Sequence, residues 1–293
     1  MDRKQAIAIL AAGVTGCSRA SGLTVGAKNF TEQDVLGEIL TRFLSNELRM
    51  KVKSRLHLAG SYLAHAALVN GDIDLYPEYS GTALTTCLKL PLERDPQRVF
   101  AAVRAAYFQR HDVEWGWPLG FENTFAMVIP KQLGYRTLSE AVERKKDWRL
   151  AIGYEFEARA DGWPMFQKTY PLKLGGSLKT MDLGLLYRAL KAGEVDMAAG
   201  NTTDSALASG AFTVLEDDLH FFPPYQTCLA VRRTAFTAHP GLRAALDQLT
   251  GVINAQQMRL MNAEVTEMKQ DPAAVAAKFL RDWKGVEWLN LTY

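Results

Sequence analysis

The run Ala67-Leu68-Val69-Asn70-Gly71-Asp72-Ile73-Asp74 returns, with the same layout, as Ala189-Leu190-Lys191-Ala192-Gly193-Glu194-Val195-Asp196. Each copy reads as the end of a helix, a glycine just past it where the chain turns left-handed, and a short strand. The strand then opens into a polar loop. That loop is Tyr76-Pro77-Glu78-Tyr79-Ser80-Gly81-Thr82 after the first copy and Gly200-Asn201-Thr202-Thr203-Asp204 after the second. A chain that builds one helix–turn–strand unit twice is expected to build two similar α/β lobes. The echo is too short, and occurs too few times, for a solenoid.

Working outward, residues 23–26 (Leu-Thr-Val-Gly) read as a short buried strand. From Thr31 onward, Val35, Leu36, Ile39, Leu40, Phe43 and Leu44 recur at helical spacing. Thr31 and Asp34 have the spacing of a capping box, with Asp in place of the usual Glu or Gln. The loop Lys28-Asn29-Phe30 thus lies between a strand's C-terminal end and a helix N-terminus. Open α/β sheets bind ligands there, and helix N-termini favour anions. Downstream, residues 124–129 form an apolar strand after the polar Gly120-Phe121-Glu122-Asn123. Residues 150–153 look like the first strand of the second lobe. Phe221-Phe222-Pro223-Pro224-Tyr225 is a stiff turn before another buried strand at residues 228–231. The expected organisation is lobe 1 from residues 18–122 and 222–293, and lobe 2 from residues 123–221. The two crossings between them make a hinge.

A chain of 293 residues with 48% hydrophobic and 23% charged residues has room for two globular domains. Lys+Arg 34 against Asp+Glu 32 gives a net charge of +2. Without a basic stripe, that balance argues against a nucleic-acid partner. Arg144-Lys145-Lys146 reads as a solvated helix face. The start is different in kind. The charged Met1-Asp2-Arg3-Lys4 precedes an apolar run over residues 6–15, which ends at Val14-Thr15-Gly16-Cys17. The run is too short to span a bilayer and has the layout of a secretory signal. The small residues before Cys17 resemble a bacterial lipobox, so residues 1–17 are expected to be a lipoprotein signal with Cys17 lipidated. Export permits a disulfide, and Cys87 and Cys228 stand either as a pair or as two buried thiols. His57, His65, His111, His220 and His239 are scattered, with no metal-ligand spacing, and no cofactor is expected. No nucleophile elbow or P-loop is present, so the expectation is a protein that is not an enzyme.

Several motifs occur together, in order and suitably spaced. They are residues 26–33 (Gly-Ala-Lys-Asn-Phe-Thr-Glu-Gln), residues 71–82, Arg159-Ala160-Asp161-Gly162, Leu215-Glu216-Asp217-Asp218 and Pro223-Pro224-Tyr225. This set, running from about residue 23 to the C-terminus, resembles the glycine betaine/choline/carnitine substrate-binding proteins of osmoprotectant ABC importers. The resemblance implies a two-lobed periplasmic-binding-protein fold (type II-like) with a ligand cleft between the lobes. It implies a small betaine-like solute, an ABC permease and its ATPase as partners, and a monomer. The place is the periplasm or the outer face of the cell membrane, held by the lipid anchor. In that family an aromatic cage holds the trimethylammonium head, and basic and hydroxyl groups hold the carboxylate. A quaternary ammonium has no N–H to donate, so aromatic faces stabilise it through cation–π attraction, whereas a carboxylate wants charge-assisted donors.

Carried over motif by motif, the resemblance makes Tyr79, Phe125 and Tyr225 cage residues. Lys28, Thr82 and Arg159 become anion-holding residues, and Asn123 a polar lining group. The chain departs from the pattern at Asn201, where the family often has an aromatic residue, and Phe125 keeps a tyrosine's face without its hydroxyl. Both departures point toward a larger or more polar betaine such as carnitine, a choline derivative or ergothioneine. Taken singly, each residue has a blander reading. Tyr79 and Tyr225 could pack at lobe edges, Phe125 in the core, and Arg159 in surface ion pairs with its acidic neighbours. Thr82 could be a helix cap. Trp163 is the one tryptophan expected near the cleft. The rival from another class is a sensor whose closed form is read by a signalling protein.

Overall fold

The computed structural model describes residues 22–159 and 162–285. Cys17 and the signal-like segment lie outside the described residues. The strands are β1 (Thr24–Lys28), β2 (Lys53–Leu58), β3 (Leu75–Tyr79), β4 (Val113–Gly116), β5 (Phe125–Pro130), β6 (Leu150–Ile152), β7 (Lys179–Thr180), β8 (Met197–Asn201), β9 (Phe212–Val214) and β10 (Thr227–Arg232). They form two five-stranded sheets of equivalent order, β2-β1-β3-β10-β4 and β7-β6-β8-β5-β9. In each, the first three strands are parallel, and the fourth is antiparallel to its neighbours. That fourth strand arrives from the other half of the chain: β5 joins β8, and β10 returns to join β3.

The echoed residues occupy equivalent places, and the reason is local hydrogen bonding. Gly71 (φ 82) and Gly193 (φ 67) both take the left-handed turn that stops their helices. Asp72 N donates to Ala67 O at 2.9 Å and Glu194 N to Ala189 O at 3.0 Å, so the two turns close alike. Asp74 then binds the chain entering β1: its N–H donates to Thr24 O at 2.8 Å, and its carboxylate accepts from Thr24 N at 2.8 Å. Asp196 does the same before β6, with Arg149 O at 2.8 Å and Arg149 N at 3.2 Å. Each aspartate therefore fastens the beginning of one strand to the beginning of its parallel neighbour.

Helix α1 (Thr31–Glu47) buries Val35, Leu36, Ile39, Leu40, Phe43 and Leu44, the stripe that the periodicity gives. The capping box does not form. Phe30 holds the N-cap position without a side-chain cap, and Thr31 is the first helical residue. Asp34 instead sits 3.3 Å from His57 on β2. The C-terminal helices Ala255–Thr266 and Pro272–Lys284 bury Met258, Met261, Val275, Phe279 and Leu280 in the same core as α1. The second sheet has its own core, which includes Met127, Trp148, Leu150, Phe156, Phe166 and Met197. Trp163 stacks on Phe166 there, with centroids 5.9 Å apart, and does not line the cleft. Cys87 and Cys228 are both buried free thiols, so the disulfide alternative is set aside. Burial pushes the Cys87 thiol up to about 12.

Between the sheets the two crossings run side by side. Asn123 N donates to Tyr225 O at 3.1 Å and Thr227 N to Phe121 O at 3.0 Å, with Glu122 and Gln226 bridged antiparallel between them.

Because Asp74 is mostly buried and accepts from a strand's terminal N–H, Asp74→Ala is expected to destabilise the chain by about 1–3 kcal/mol. Among the described residues Asp72 pairs with Arg55 on the surface, so Asp72→Ala should cost at most about 0.5 kcal/mol. Urea unfolding of both variants checks this, and equal midpoints would refute the role given to Asp74.

Candidate functional site

The C-terminal ends of β1 and β3 face the start of β5, the end of β8 and the segment after β6 across a cavity of about 480 Å³. Lys28, Tyr79, Thr82, Asn123, Phe125, Arg159, Asn201 and Tyr225 all line it. Phe30, Ser61, Glu155 and Leu183 line it too and were missed in the sequence. Phe30 adjoins Lys28 in a quoted motif, and Glu155 precedes Arg159 by one helical turn, so both had a signal. Ser61 and Leu183 open helices that only the tertiary fold brings to the cavity, and they had none.

On the first-sheet side, Lys28 ends β1 and is buried. Its Nζ lies 2.6 Å from Glu78 Oε1 and 3.4 Å from Ser61 Oγ. The same ammonium sits 4.3 Å above the Tyr79 ring and 5.6 Å from that of Phe30. Glu78 is fully buried and also accepts from Tyr79 N at 2.8 Å and from the Tyr76 hydroxyl at 3.3 Å. Burying both charges is offset only because these extra bonds complete the carboxylate. Lys28, expected to hold an anion from the ligand, is thus already matched to a carboxylate in the wall.

On the second-sheet side, Arg159 follows the short helix Tyr154–Ala158. It donates to the Tyr225 hydroxyl at 2.9 Å and to Glu155 Oε1 at 3.0 Å. Its guanidinium is 5.2 Å from the Phe125 ring and 5.7 Å from that of Tyr225. Those two rings meet edge to face, at 6.0 Å and 82°. Tyr225 fits against the turn Ser80–Thr82 because residue 81 is glycine: a Cβ there would come within 2.8 Å of Pro224 O and 2.9 Å of the Tyr225 ring. Ser80 Oγ fastens the same turn, donating to Pro224 O at 2.8 Å and accepting from Gln226 N at 3.0 Å. Thr82, next along, is buried at the cavity edge.

Asn201 ends β8 just as Tyr79 ends β3, so the amide stands in the place equivalent to the tyrosine. Its backbone N–H donates to Asp204 Oδ2 at 2.7 Å, and the Tyr187 hydroxyl donates to the same oxygen at 2.8 Å. Burial pushes the Asp204 carboxyl up from the usual range. Asn123 donates from Nδ2 to Glu32 Oε1 at 3.0 Å. Its Oδ1 is buried and has no hydrogen-bond partner among the described residues. Glu32 lies behind the cavity and binds two of its walls. In the sequence it falls inside the motif of residues 26–33, which gives it no role of its own. Among the described residues, no group of three or more His, Cys, Asp or Glu is placed to hold a metal ion.

Comparison with known proteins agrees with this geometry. The family model for the substrate-binding domain of ABC-type glycine betaine transport systems matches residues 21–282. Over 277 residues the chain is 29% identical to the carnitine transport binding protein OpuCC of Listeria monocytogenes, covering 92% of this chain and 89% of that one. It is 30% identical over 263 residues to the ergothioneine transport permease/ergothioneine binding protein EgtU of Helicobacter pylori strain G27. That match covers 88% of this chain and 47% of the longer relative. A solved structure of a glycine betaine/carnitine/choline ABC transporter protein superposes with a TM-score of 0.82 at 30% identity, covering 89% of this chain and 98% of that one. A two-lobed α/β fold, a cleft at the strand ends and these matches lead to one conclusion: the chain belongs to the family of substrate-binding domains of ABC-type glycine betaine transport systems.

Proposed function

We propose that this chain captures a zwitterionic quaternary-ammonium solute between its lobes and presents it to an ABC permease and its ATPase outside the cytoplasm. The lobes are residues 18–122 with 222–293, and residues 123–221, and the protein works as a monomer held to the membrane through a lipid on Cys17. Capture, without chemistry on the solute, is the whole activity. One observation carries the reading: the four rings Phe30, Tyr79, Phe125 and Tyr225 line one cavity between the two sheets. Rings so placed suit an ammonium with no hydrogen to donate, each favourable face contributing about 0.5–2 kcal/mol. Arg159 supplies charge-assisted donors for the carboxylate.

A more polar betaine is the second reading, and one feature favours it. Asn201 replaces a ring by an amide at the end of β8, and an amide oxygen can accept from a ligand donor. Carnitine has a hydroxyl and ergothioneine a ring N–H to offer, whereas glycine betaine has neither. The relative named for ergothioneine keeps that solute in the set to be tested.

Isothermal titration against glycine betaine, choline, carnitine and ergothioneine is expected to give tight binding of at least one, with a donor-bearing ligand ahead of glycine betaine. Binding of none by folded protein would sink the quaternary-ammonium reading. In the same assay Arg159→Met should weaken carboxylate-bearing ligands about 10- to 100-fold, from a charge-assisted bond worth about 1.5–3 kcal/mol, while barely moving choline. Equal loss for choline would show that Arg159 does not hold the carboxylate.

A further inference from the structure

Glu32 stands in the first turn of α1 and is buried to 2% exposure, behind the cavity and not in its wall. Its carboxylate collects donors from separate parts of the fold. The Tyr79 hydroxyl reaches Oε1 at 2.6 Å and Asn123 Nδ2 reaches it at 3.0 Å. Asn262 Nδ2 reaches Oε2 at 3.3 Å, and the Thr203 side chain lies against the same carboxylate. Asn262 Nδ2 also donates to Thr203 O at 2.9 Å, which ties the two neighbours to each other.

These partners span the molecule. Tyr79 ends β3 of the first sheet, and Asn123 lies on the outgoing crossing. Asn262 sits on the helix Ala255–Thr266, which packs on α1. Thr203 follows β8 of the second sheet. The same helix grips that loop a second time, since Arg259 Nε donates to Thr202 O at 2.6 Å. Tyr79 and Asn123 line the cavity; Asn262 and Thr203 are outside its wall. Every partner donates, so the position calls for a group made only of acceptors. A glutamine would keep the shape, but it would set its own N–H groups against those of Asn123 or Asn262. Burial holds the Glu32 carboxyl above the usual carboxylate range, and these donors offset only part of that rise. A group that costly to bury, placed where both lobes and the cavity meet, calls for an explanation beyond packing.

We propose that Glu32 is a positioning residue that couples the cavity to the hinge. Through Tyr79 and Asn123 it sets two cavity walls, and through Asn262, whose amide also holds Thr203 O, it ties those walls to the second lobe. Contact with a ligand and closure of the lobes then pass through one carboxylate. The affinity arm of this inference rests on the binding-protein reading above; the hinge arm does not.

The test compares Glu32→Gln, Glu32→Asp, Thr203→Val and the double variant Glu32→Gln/Thr203→Val in the full chain. Thr203→Val keeps the side-chain shape and leaves the buried acid in place, so it guards against loss of fold in the glutamine variant. Three quantities are read: affinity for whichever quaternary-ammonium solute the wild type binds, the radius of gyration by small-angle scattering with and without it, and Tm. Glu32→Gln is expected to weaken binding by about 10-fold or more, because one cavity donor loses its acceptor. It should also change the radius of gyration of the unliganded protein. Thr203→Val should weaken binding by about 3- to 10-fold, and Glu32→Asp should retain part of the affinity lost in Glu32→Gln. The double variant should be no worse than Glu32→Gln alone, since both act through the same carboxylate. A lower Tm in Glu32→Gln with affinity within about twofold of wild type would reduce Glu32 to a packing group and overturn the proposal. Additive losses in the double variant would do the same. If the wild type binds no quaternary-ammonium solute, the functional reading fails separately. Unliganded scattering still decides the hinge role: identical profiles in wild type and variants overturn it, and a shifted profile supports it.

Discussion

The two chain crossings, hydrogen-bonded to each other, are the constraint on which the site depends. Asn123 and Tyr225 are joined through their backbones at 3.1 Å, and both side chains line the cavity. Two residues beyond Asn123 the chain enters β5 at Phe125, and two residues beyond Tyr225 it enters β10 at Thr227. The strand that each sheet receives from the other half therefore begins at the cavity floor. Few backbone bonds join the crossings, so a twist about this pair would move one sheet against the other while changing few φ/ψ angles, as hinge motions require. Cavity residues on the crossings themselves would stay close to the axis, and those on β1, β3, β8 and the 154–159 segment would travel furthest.

Equivalent topology does not produce equivalent chemistry. The two sheets share a strand order, and Asp74 and Asp196 perform the same splice, so the fold delivers matching positions to the two sides of the cleft. At those positions the chain places different groups: a tyrosine at the end of β3, an asparagine at the end of β8. The asymmetry lies in the last residue of each strand: Tyr79 is buried and bonded to Glu32, whereas Asn201 is half-buried at the cavity. Specificity can therefore change at Asn201 at less cost to stability than at Tyr79.

The fold was legible because its decisive signals are local. Glycine at a helix end, an aspartate three residues later and an apolar strand each act through neighbours in sequence, and their recurrence gave the two lobes. The helix start was misread by one residue. Thr31 and Asp34 have capping spacing, but Phe30 holds the N-cap and Thr31 is already helical, so Asp34 is one position too far along to close the box. Site residues came from the family resemblance, and they do converge on one cavity. Their partners did not come with them. Nothing near Lys28 in the sequence tells that Glu78, paired with it at 2.6 Å, is fully buried. Glu32 meets Asn262 across 230 positions of chain, a contact with no sequence pattern at all.

The buried Lys28–Glu78 pair also bears on what the cleft can enclose. An unbalanced charge taken out of water costs several kcal/mol, so a closing cleft tolerates best a ligand that leaves the enclosed charge unchanged. On the first-sheet side the wall is already balanced, lysine against glutamate. On the second-sheet side Arg159 pairs with Glu155, whose side chain is 66% exposed, so that attraction is screened by water and weak. A zwitterion adds no net charge on entry: its carboxylate can take the place of the exposed glutamate at Arg159 while its ammonium faces the rings. A bare cation would add a charge beside Lys28 and Arg159 with no carboxylate of its own. Closure on it would need Glu78 or Glu155 to change partners.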